Sequence, residues 1–245
     1  MHNLLRLSWL NVKNKMFSRI FLFGIACAFA YPLLWVFAVN KKYQLDLYCF
    51  EMGRFMYVIM LYAAVSLLRD DIKNNTTKTV FTGVFSRTEI MISKAISLVI
   101  WGCVFAFLLE LNNIIVSAIL HKTIGINGFL SVNHVQLFIN YIVILFSMGG
   151  LMLLIASIAF NDSKNILFYI LLLGMVNFFT SAVVTAVHRK PELKSKFIAY
   201  IATPFYNAVE LTSWDFNAEA ILINVLWGIG FLAIATLIIN KREIK

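Results

Sequence analysis

Six apolar stretches, each long enough to cross a bilayer, divide the chain; they cover residues 20–39, 48–68, 96–120, 136–159, 166–187 and 221–239. A membrane-spanning helix needs about 20 predominantly apolar residues, because each residue advances a helix by about 1.5 Å. Apolar residues make up 61% of the 245 positions and charged residues 13%, whereas soluble domains are about 45–50% apolar and about 25% charged. The sequence therefore predicts an all-α membrane protein with six transmembrane helices, and it excludes secreted disulfide scaffolds, disordered tails and ordinary soluble enzymes.

The segments between these stretches are too short to form a separate soluble domain. The longest of them, residues 188–220, falls below the size of about 50 residues at which domains fold alone. The chain has no GxxxxGK[ST], HExxH or GxSxG motif, and its three Cys and four His lack ligand spacing. We therefore expect residues 1–245 to form a single transmembrane domain that has no catalytic residues and binds no metal or cofactor of its own.

The distribution of basic residues predicts the orientation. Most of the 21 Lys and Arg fall before the first span, in segments 69–95 and 160–165, and after the last span. Basic residues favour the cytoplasmic side, so the pattern predicts a multi-pass protein of the plasma membrane with both termini in the cytoplasm. Segment 188–220 is the exception, with four bases on the predicted outer side. Because anionic lipid headgroups account for a net charge of +9, we expect the lipid bilayer and no nucleic acid as a partner.

Residues 1–19 have the pattern of a helix lying on the inner membrane surface. Helical spacing aligns an apolar stripe, which consists of Leu5, Trp9, Val12, Met16 and Ile20. A helix of this kind with a Trp on its apolar face lies in the plane of the interface. The alternative is that these residues only begin the first span.

Segment 69–95 carries two helix signals. Residues 71–82 predict a short helix, and Gly83 can end it in a left-handed conformation. Ser86 and Glu89 have capping-box spacing, which predicts that the third spanning helix begins near Arg87, ahead of its apolar stretch. A short helix, a turn and a long helix together have the shape of a docking segment. A solvated cytoplasmic loop is the alternative.

Segment 188–220 contains two apolar runs separated by Pro204, namely 197–202 and 205–211, the second of which ends near Trp214. Each run is too short to span a bilayer. They predict two short helices that enter the outer leaflet and return. A hairpin resting on the headgroups is the alternative.

Three ionisable residues interrupt the spans: Glu51, Arg54 and Glu110. Such residues are costly inside a bilayer and need partners or water. Glu51 and Arg54 are three residues apart and can pair on one helix, and Glu110 lies at a similar depth on the next span. We predict that the three form one cluster, which either lines a polar path or fixes the second span against the third.

The order of these parts resembles the permease subunits of ABC-2-type exporters. The closest local match is residues 76–94, with Thr76, the pair Ser86-Arg87, Ile90 and Lys94 at the positions of the family's inner-loop pattern. The sequence departs from this pattern where a Gly often precedes the Thr and a Pro often lies two residues before the Ser. Here these positions hold Asn75 and Val84.

The resemblance implies a role for each segment. The short helix 71–82 would be a coupling helix that docks on a separate ATP-binding ABC subunit, through Ile72, Thr76, Thr77, Lys78, Thr79, Val80 and Phe81. The outer hairpin would form a gate, with Phe197, Pro204, Phe205 and Trp214. ATP and Mg²⁺ would bind to the partner ATPase. A second permease, identical or paralogous, would complete twelve spans, with the second and fifth spans lining the path.

Within that family, the small size and the aromatic-rich spans are similar to peptide exporters and self-immunity permeases, including phenol-soluble-modulin exporters. The resemblance thus implies export of amphipathic or hydrophobic cargo such as peptides. Two other functions stay open: a secondary transporter or channel that uses Glu51, Arg54 and Glu110, and a membrane scaffold without cargo.

Overall fold

The fold is that of a computed structural model, which describes residues 2–39, 43–81, 83–212 and 217–243. The described residues form α-helices joined by short turns and contain no β-strand. In chain order the helices are α1 (His2–Met16), α2 (Arg19–Ala38), α3 (Leu45–Lys73), α4 (Thr77–Phe81), α5 (Arg87–Ile119), α6 (Gly125–Leu130), α7 (His134–Ala159), α8 (Asp162–Gly174), α9 (Ser181–Arg189), α10 (Ile198–Ile201), α11 (Pro204–Thr212) and α12 (Ala218–Lys241).

The described residues include six helices that are long and apolar enough to span a membrane. These are α2, α3, α5, α7, α12 and the continuous helical segment Asp162–Arg189, which contains α8 and α9. The predicted all-helical fold with six candidate spanning helices is therefore confirmed. Helices α3 and α5 extend beyond their apolar stretches, to Lys73 and from Arg87 respectively, so both project past the apolar band at the same end.

Helices α3, α5 and α7 form the centre of the bundle, and α2, α8–α9 and α12 pack around them. The central helices approach closely where glycine removes a side chain. A Cβ on Gly102 of α5 would lie 2.6 Å from the Ile142 Cα of α7, which is closer than real Cβ contacts allow. The outer helices expose large apolar side chains such as Phe23, Phe37 and Leu222, as helices in contact with lipid do.

The fifth span changes its winding halfway. Residues Met175–Thr180, between α8 and α9, form a π-helical segment. The Thr180 and Ser181 hydroxyls each donate a hydrogen bond of 3.3 Å to the carbonyl five residues earlier. The Thr180 hydroxyl also lies 2.5 Å from the Tyr200 hydroxyl of α10. The apolar run that predicts this span carries no signal for the change.

Helix α1 packs along α5, but not with the whole apolar stripe predicted for it. Val12 is fully buried, whereas Leu5 and Trp9 are about half exposed and face away from the protein. The Ser8 hydroxyl donates to the Ser93 carbonyl at 2.9 Å, so a polar contact helps to fix α1 on the bundle. The exposed Leu5 and Trp9 leave an apolar side available to lipid.

Candidate functional site

The connection from α3 to α5 contains the segment predicted to dock. We refer to this end of the bundle, predicted to be cytoplasmic, as the inner end. Helix α3 continues to Lys73, so the predicted helix 71–82 is wrong in extent: Ile72 belongs to α3, and only Thr77–Phe81 form the short helix α4.

A left-handed residue separates the two helices. Asn75 has φ 54°; its amide donates to the Ile72 carbonyl, and the Thr76 amide donates to the Asp71 carbonyl. This is the Schellman arrangement that ends many helices. Glycine adopts such a φ without strain and Asn tolerates it, which gives a physical reason for Asn at position 75.

The residues predicted to dock do not share one exposed face. Thr77 and Phe81 are buried beneath α4, while Ile72 and Val80 pack partly against the main core. The exposed residues are Thr76, Lys78 and Thr79. The surface of α4 open to a partner is therefore smaller and more polar than the sequence predicts.

The start of α5 is fixed as its capping residues predict. The Ser86 hydroxyl accepts from the Glu89 amide at 3.2 Å, and the Glu89 carboxylate accepts from the Ser86 amide at 2.8 Å. Gly83, in contrast, is not left-handed as predicted, since Gly125 is the glycine with positive φ in the described part of the chain.

A buried lysine ties the two arms of this connection together. Lys94 of α5 is 2% exposed. Its Nζ donates to the Leu67 carbonyl of α3 and lies 2.7 Å from the Asp71 carboxylate near the end of α3. Charge-assisted bonds in a buried setting are strong and specific in geometry, so the ends of α3 and α5 that flank α4 are held as one unit.

Two arginines connect that unit to the rest of the inner end. The Arg87 Nη1 donates to the carbonyls of Ile239, Asn240 and Arg242 at 2.9, 3.1 and 2.6 Å. Arg242 in turn donates to the Ser157 carbonyl at 2.7 Å. Both side chains satisfy carbonyls that a helix end leaves without partners. The end of α12 and the end of α7 are thus linked to the start of α5.

Two further ion pairs bind α1 and α8 to α3. Lys15 lies 2.8 Å from Asp70, and Arg69 lies 2.5 Å from Asp162. Helices α1, α3, α5, α8 and α12 are therefore all joined by polar contacts at the inner end. It follows that α1, the end of α12 and α4 lie at the same end of the bundle.

The intramembrane charges do not form the predicted three-residue cluster. Glu51 and Arg54 pair on α3, 3.6 Å apart. Glu110 instead pairs with His134 at the start of α7, with 2.8 Å between Oε1 and Nδ1. The prediction that Arg54 reaches Glu110 is wrong because Glu110 lies on the side of α5 that meets α7. His134 is the first residue of α7, while Glu110 lies well before the end of α5, so spacing along the chain does not predict this pair.

Several buried polar atoms near this pair have no hydrogen-bond partner. They are the Asn112 side-chain amide atoms, Asn113 Oδ1 and His134 Nε2. Unsatisfied polar groups in a bundle core are unfavourable, so this region has capacity to bind water or a solute. The described residues contain no group of three or more His, Cys, Asp or Glu side chains placed to hold a metal ion.

At the opposite end, which we call the outer end, a cavity of about 1020 Å³ opens between α3, α9 and α11. We name it the outer cavity. Phe50 and Arg54 of α3 form one wall, and α9 from Ser181 to Arg189 forms another. The second and fifth spans thus line the same cavity. The basic residues Arg189 and Lys190 also line it, and no sequence motif predicts a site there.

The predicted outer gate forms a small helical cap beside this cavity. Pro204 is the first residue of α11, a position where proline suits a helix start. Phe197 packs on the cluster of Val183, Val184, Val187 and Tyr206, and Phe205 packs on the main core. Trp214, the fourth predicted gate residue, lies outside the described residues. Burial, aided by Glu210, raises the pKa of Tyr206 and keeps its phenol protonated.

Neither the comparison with models of known protein families nor the comparison with curated proteins gives a match to this chain.

Proposed function

We propose that the chain is the membrane-spanning permease subunit of an ABC exporter. The observation that carries this proposal is α4, a short helix between two long helices at the inner end. It exposes Lys78 and Thr79, and the exposed Thr76 directly precedes it. Lys94 and Arg87 join its flanking residues to α3 and α12. A force applied to α4 would therefore reach several spans at once.

A partner supplies the energy. ATP and Mg²⁺ bind to a separate ATPase subunit docked on α4, and this chain binds neither. A second permease, identical or paralogous, gives twelve spans, for which the largely exposed apolar faces of α2, α8–α9 and α12 provide room. The assembly lies in the plasma membrane with both termini cytoplasmic, α1 at the inner interface and α10–α11 as a re-entrant outer gate.

The cargo is amphipathic or hydrophobic, with peptides as the favoured class. The outer cavity supports this, since it lies between the second and fifth spans and combines apolar walls with a basic rim. Apolar cargo reaches such a cavity from the bilayer and needs no aqueous channel.

The docking claim is tested by copurification. The chain, tagged at its C-terminus, is extracted from its native membrane in mild detergent, and bound proteins are identified by mass spectrometry. We expect an ATPase subunit near one per permease. The pair Lys78→Glu and Thr79→Glu should abolish its recovery, because it reverses the charge of the exposed surface of α4.

Lys122→Glu is the matched control, since Lys122 is exposed on the predicted outer side. It should leave recovery of the ATPase unchanged. Normal recovery with the α4 variant would overturn the docking claim. A stable preparation that never contains an ATPase, across several gentle detergents, would overturn the ABC assignment itself.

A secondary transporter is the second candidate, because of the Glu110–His134 pair and the unpartnered polar atoms beside it. Such a protein would couple transport to a proton or sodium gradient without ATP. Glu110→Gln would then abolish transport in vesicles that hold only a gradient. In an ABC exporter the same variant retains ATP-driven transport.

A further inference from the structure

We propose that the outer cavity binds the headgroup of an anionic phospholipid from the surrounding leaflet. This site is independent of the ABC assignment, since it rests on the cavity alone and needs no ATPase. The occupant is identified by three features: the charge at the rim, the apolar character of the walls, and the position of the cavity at the outer end.

The rim is basic. Arg54 lines the cavity from α3, and Arg189 and Lys190 line it from the end of α9. Glu51 offsets part of the Arg54 charge at 3.6 Å. Arg189 and Lys190, both exposed, have no ion pair within the described part of the chain. His188, the fourth basic residue of the rim, faces Glu210 at 4.0 Å. The rim thus has net positive charge.

Most of the remaining lining is apolar, with the Ser181 and Thr185 hydroxyls as its uncharged polar groups. Phe50, Val184, Leu193 and Val209 line the cavity, and none of them can satisfy a buried polar group. An occupant must therefore place its charge at the rim and an apolar part between α3 and α11. The volume, about 1020 Å³, is at the upper end of ligand-binding cavities, which hold about 300–1,000 Å³.

A phospholipid meets these demands better than a free anion or a cationic peptide. Arginine forks bind phosphate oxygens in pairs, and the end of α9 brings Arg189 and Lys190 to the outer end, where lipid headgroups lie. A free phosphate has no use for the apolar walls. A cationic amphipathic peptide would be repelled by the rim.

The test measures lipid selectivity on the purified full chain. The protein is placed in nanodiscs of equal phosphatidylglycerol and phosphatidylcholine, released into detergent, and the lipids retained are quantified by native mass spectrometry. We expect phosphatidylglycerol to be enriched. Arg54→Gln should lower the enrichment about fivefold. The double variant Arg189→Gln with Lys190→Gln should lower it about fivefold for each charge removed. A fivefold change corresponds to about 1 kcal/mol per cation.

Lys122→Gln removes one exposed cation of the outer end away from the cavity and is the matched control. It should leave the enrichment unchanged. If Arg54→Gln leaves Glu51 without its partner and the protein does not fold, the Arg189/Lys190 double variant, which alters exposed residues, carries the test. Size-exclusion profiles verify the fold of each variant.

Thr185→Trp provides a second test, because Thr185 is exposed and lines the cavity. A tryptophan there occupies part of the cavity without changing charge, so it should reduce retained phosphatidylglycerol while all basic residues remain. Equal retention of the two lipids by the unaltered protein would overturn the proposal. So would a loss with Lys122→Gln as large as that with the rim variants, or displacement of lipid only by an acidic peptide.

Discussion

Replacing Lys94 with Met should destabilise the protein by about 3 kcal/mol, because it breaks a buried ion pair and leaves the acid behind. Lys94 is 2% exposed, and its ammonium bonds to the Leu67 carbonyl and to Asp71 at 2.7 Å. Methionine has a similar length and no charge. Breaking a buried pair costs about 3–5 kcal/mol, and the Asp71 side chain keeps 23% exposure, so water reduces the loss to the lower end of that range.

The reverse replacement, Asp71→Asn, should destabilise the protein more. It leaves the Lys94 ammonium, whose side chain is only 3% exposed, with neutral oxygens as acceptors and no negative charge beside it. In the double variant Lys94→Met with Asp71→Asn no unpaired charge remains. Its loss should be smaller than the sum of the single losses, by about 0.5–3 kcal/mol, as for residues in direct contact.

Unfolding in mixed micelles, followed by tryptophan fluorescence as SDS is increased, measures these differences. Lys122→Met is the matched control, because Lys122 is an exposed lysine in the turn after α5. Its effect should stay within about 0.5 kcal/mol, as for other surface substitutions. A Lys94→Met variant as stable as this control, or single losses that simply add in the double variant, would refute the reasoning.

Gly102→Ala should destabilise the bundle by about 1–3 kcal/mol, since the new methyl meets the backbone of α7. Gly230→Ala is the control and should not destabilise it, because a Cβ there meets nothing within 4 Å. Thermal unfolding of the two variants measures the difference. His134→Leu should cost about 1–3 kcal/mol by leaving Glu110 without its partner. His134→Gln, which keeps a donor, should cost less in the same unfolding assay. Arg87→Gln should speed hydrogen exchange at the end of α12, whose carbonyls Arg87 binds; unchanged exchange there would contradict that role.

The sequence predicts a helix and its ends correctly where the interactions that form them lie within one short segment of the chain. The six spans follow from apolar length, since a helix satisfies its own backbone in lipid. The start of α5 follows from Ser86 and Glu89, which bond within one turn. The sequence does not predict where α3 ends or how short α4 is. The residues of segment 71–82 are compatible with one continuous helix, but the left-handed Asn75 divides the segment into the end of α3 and the short helix α4.

The candidate sites depended on how the helices are rotated about their axes. The depth of a residue in the membrane follows from counting residues along its helix, and this count predicts similar depths for Arg54 and Glu110. The direction in which each side chain points follows from packing, and it paired Glu110 with His134 on α7. Similarly, nothing in the sequence distinguishes Lys94 from the other basic residues of segment 69–95. It is buried against Asp71 because α5 packs on α3.

The sequence by itself therefore determined that this chain forms a helical bundle with six candidate spans, because apolar content and helix length are properties of the chain alone. The tertiary structure decided which charges pair, where the fifth span changes its winding, and that Arg54 and Arg189 line one cavity. These depend on contacts between residues far apart in sequence. No periodicity within a single helix specifies them, since each helix can present the same residues at any rotation until its neighbours fix one.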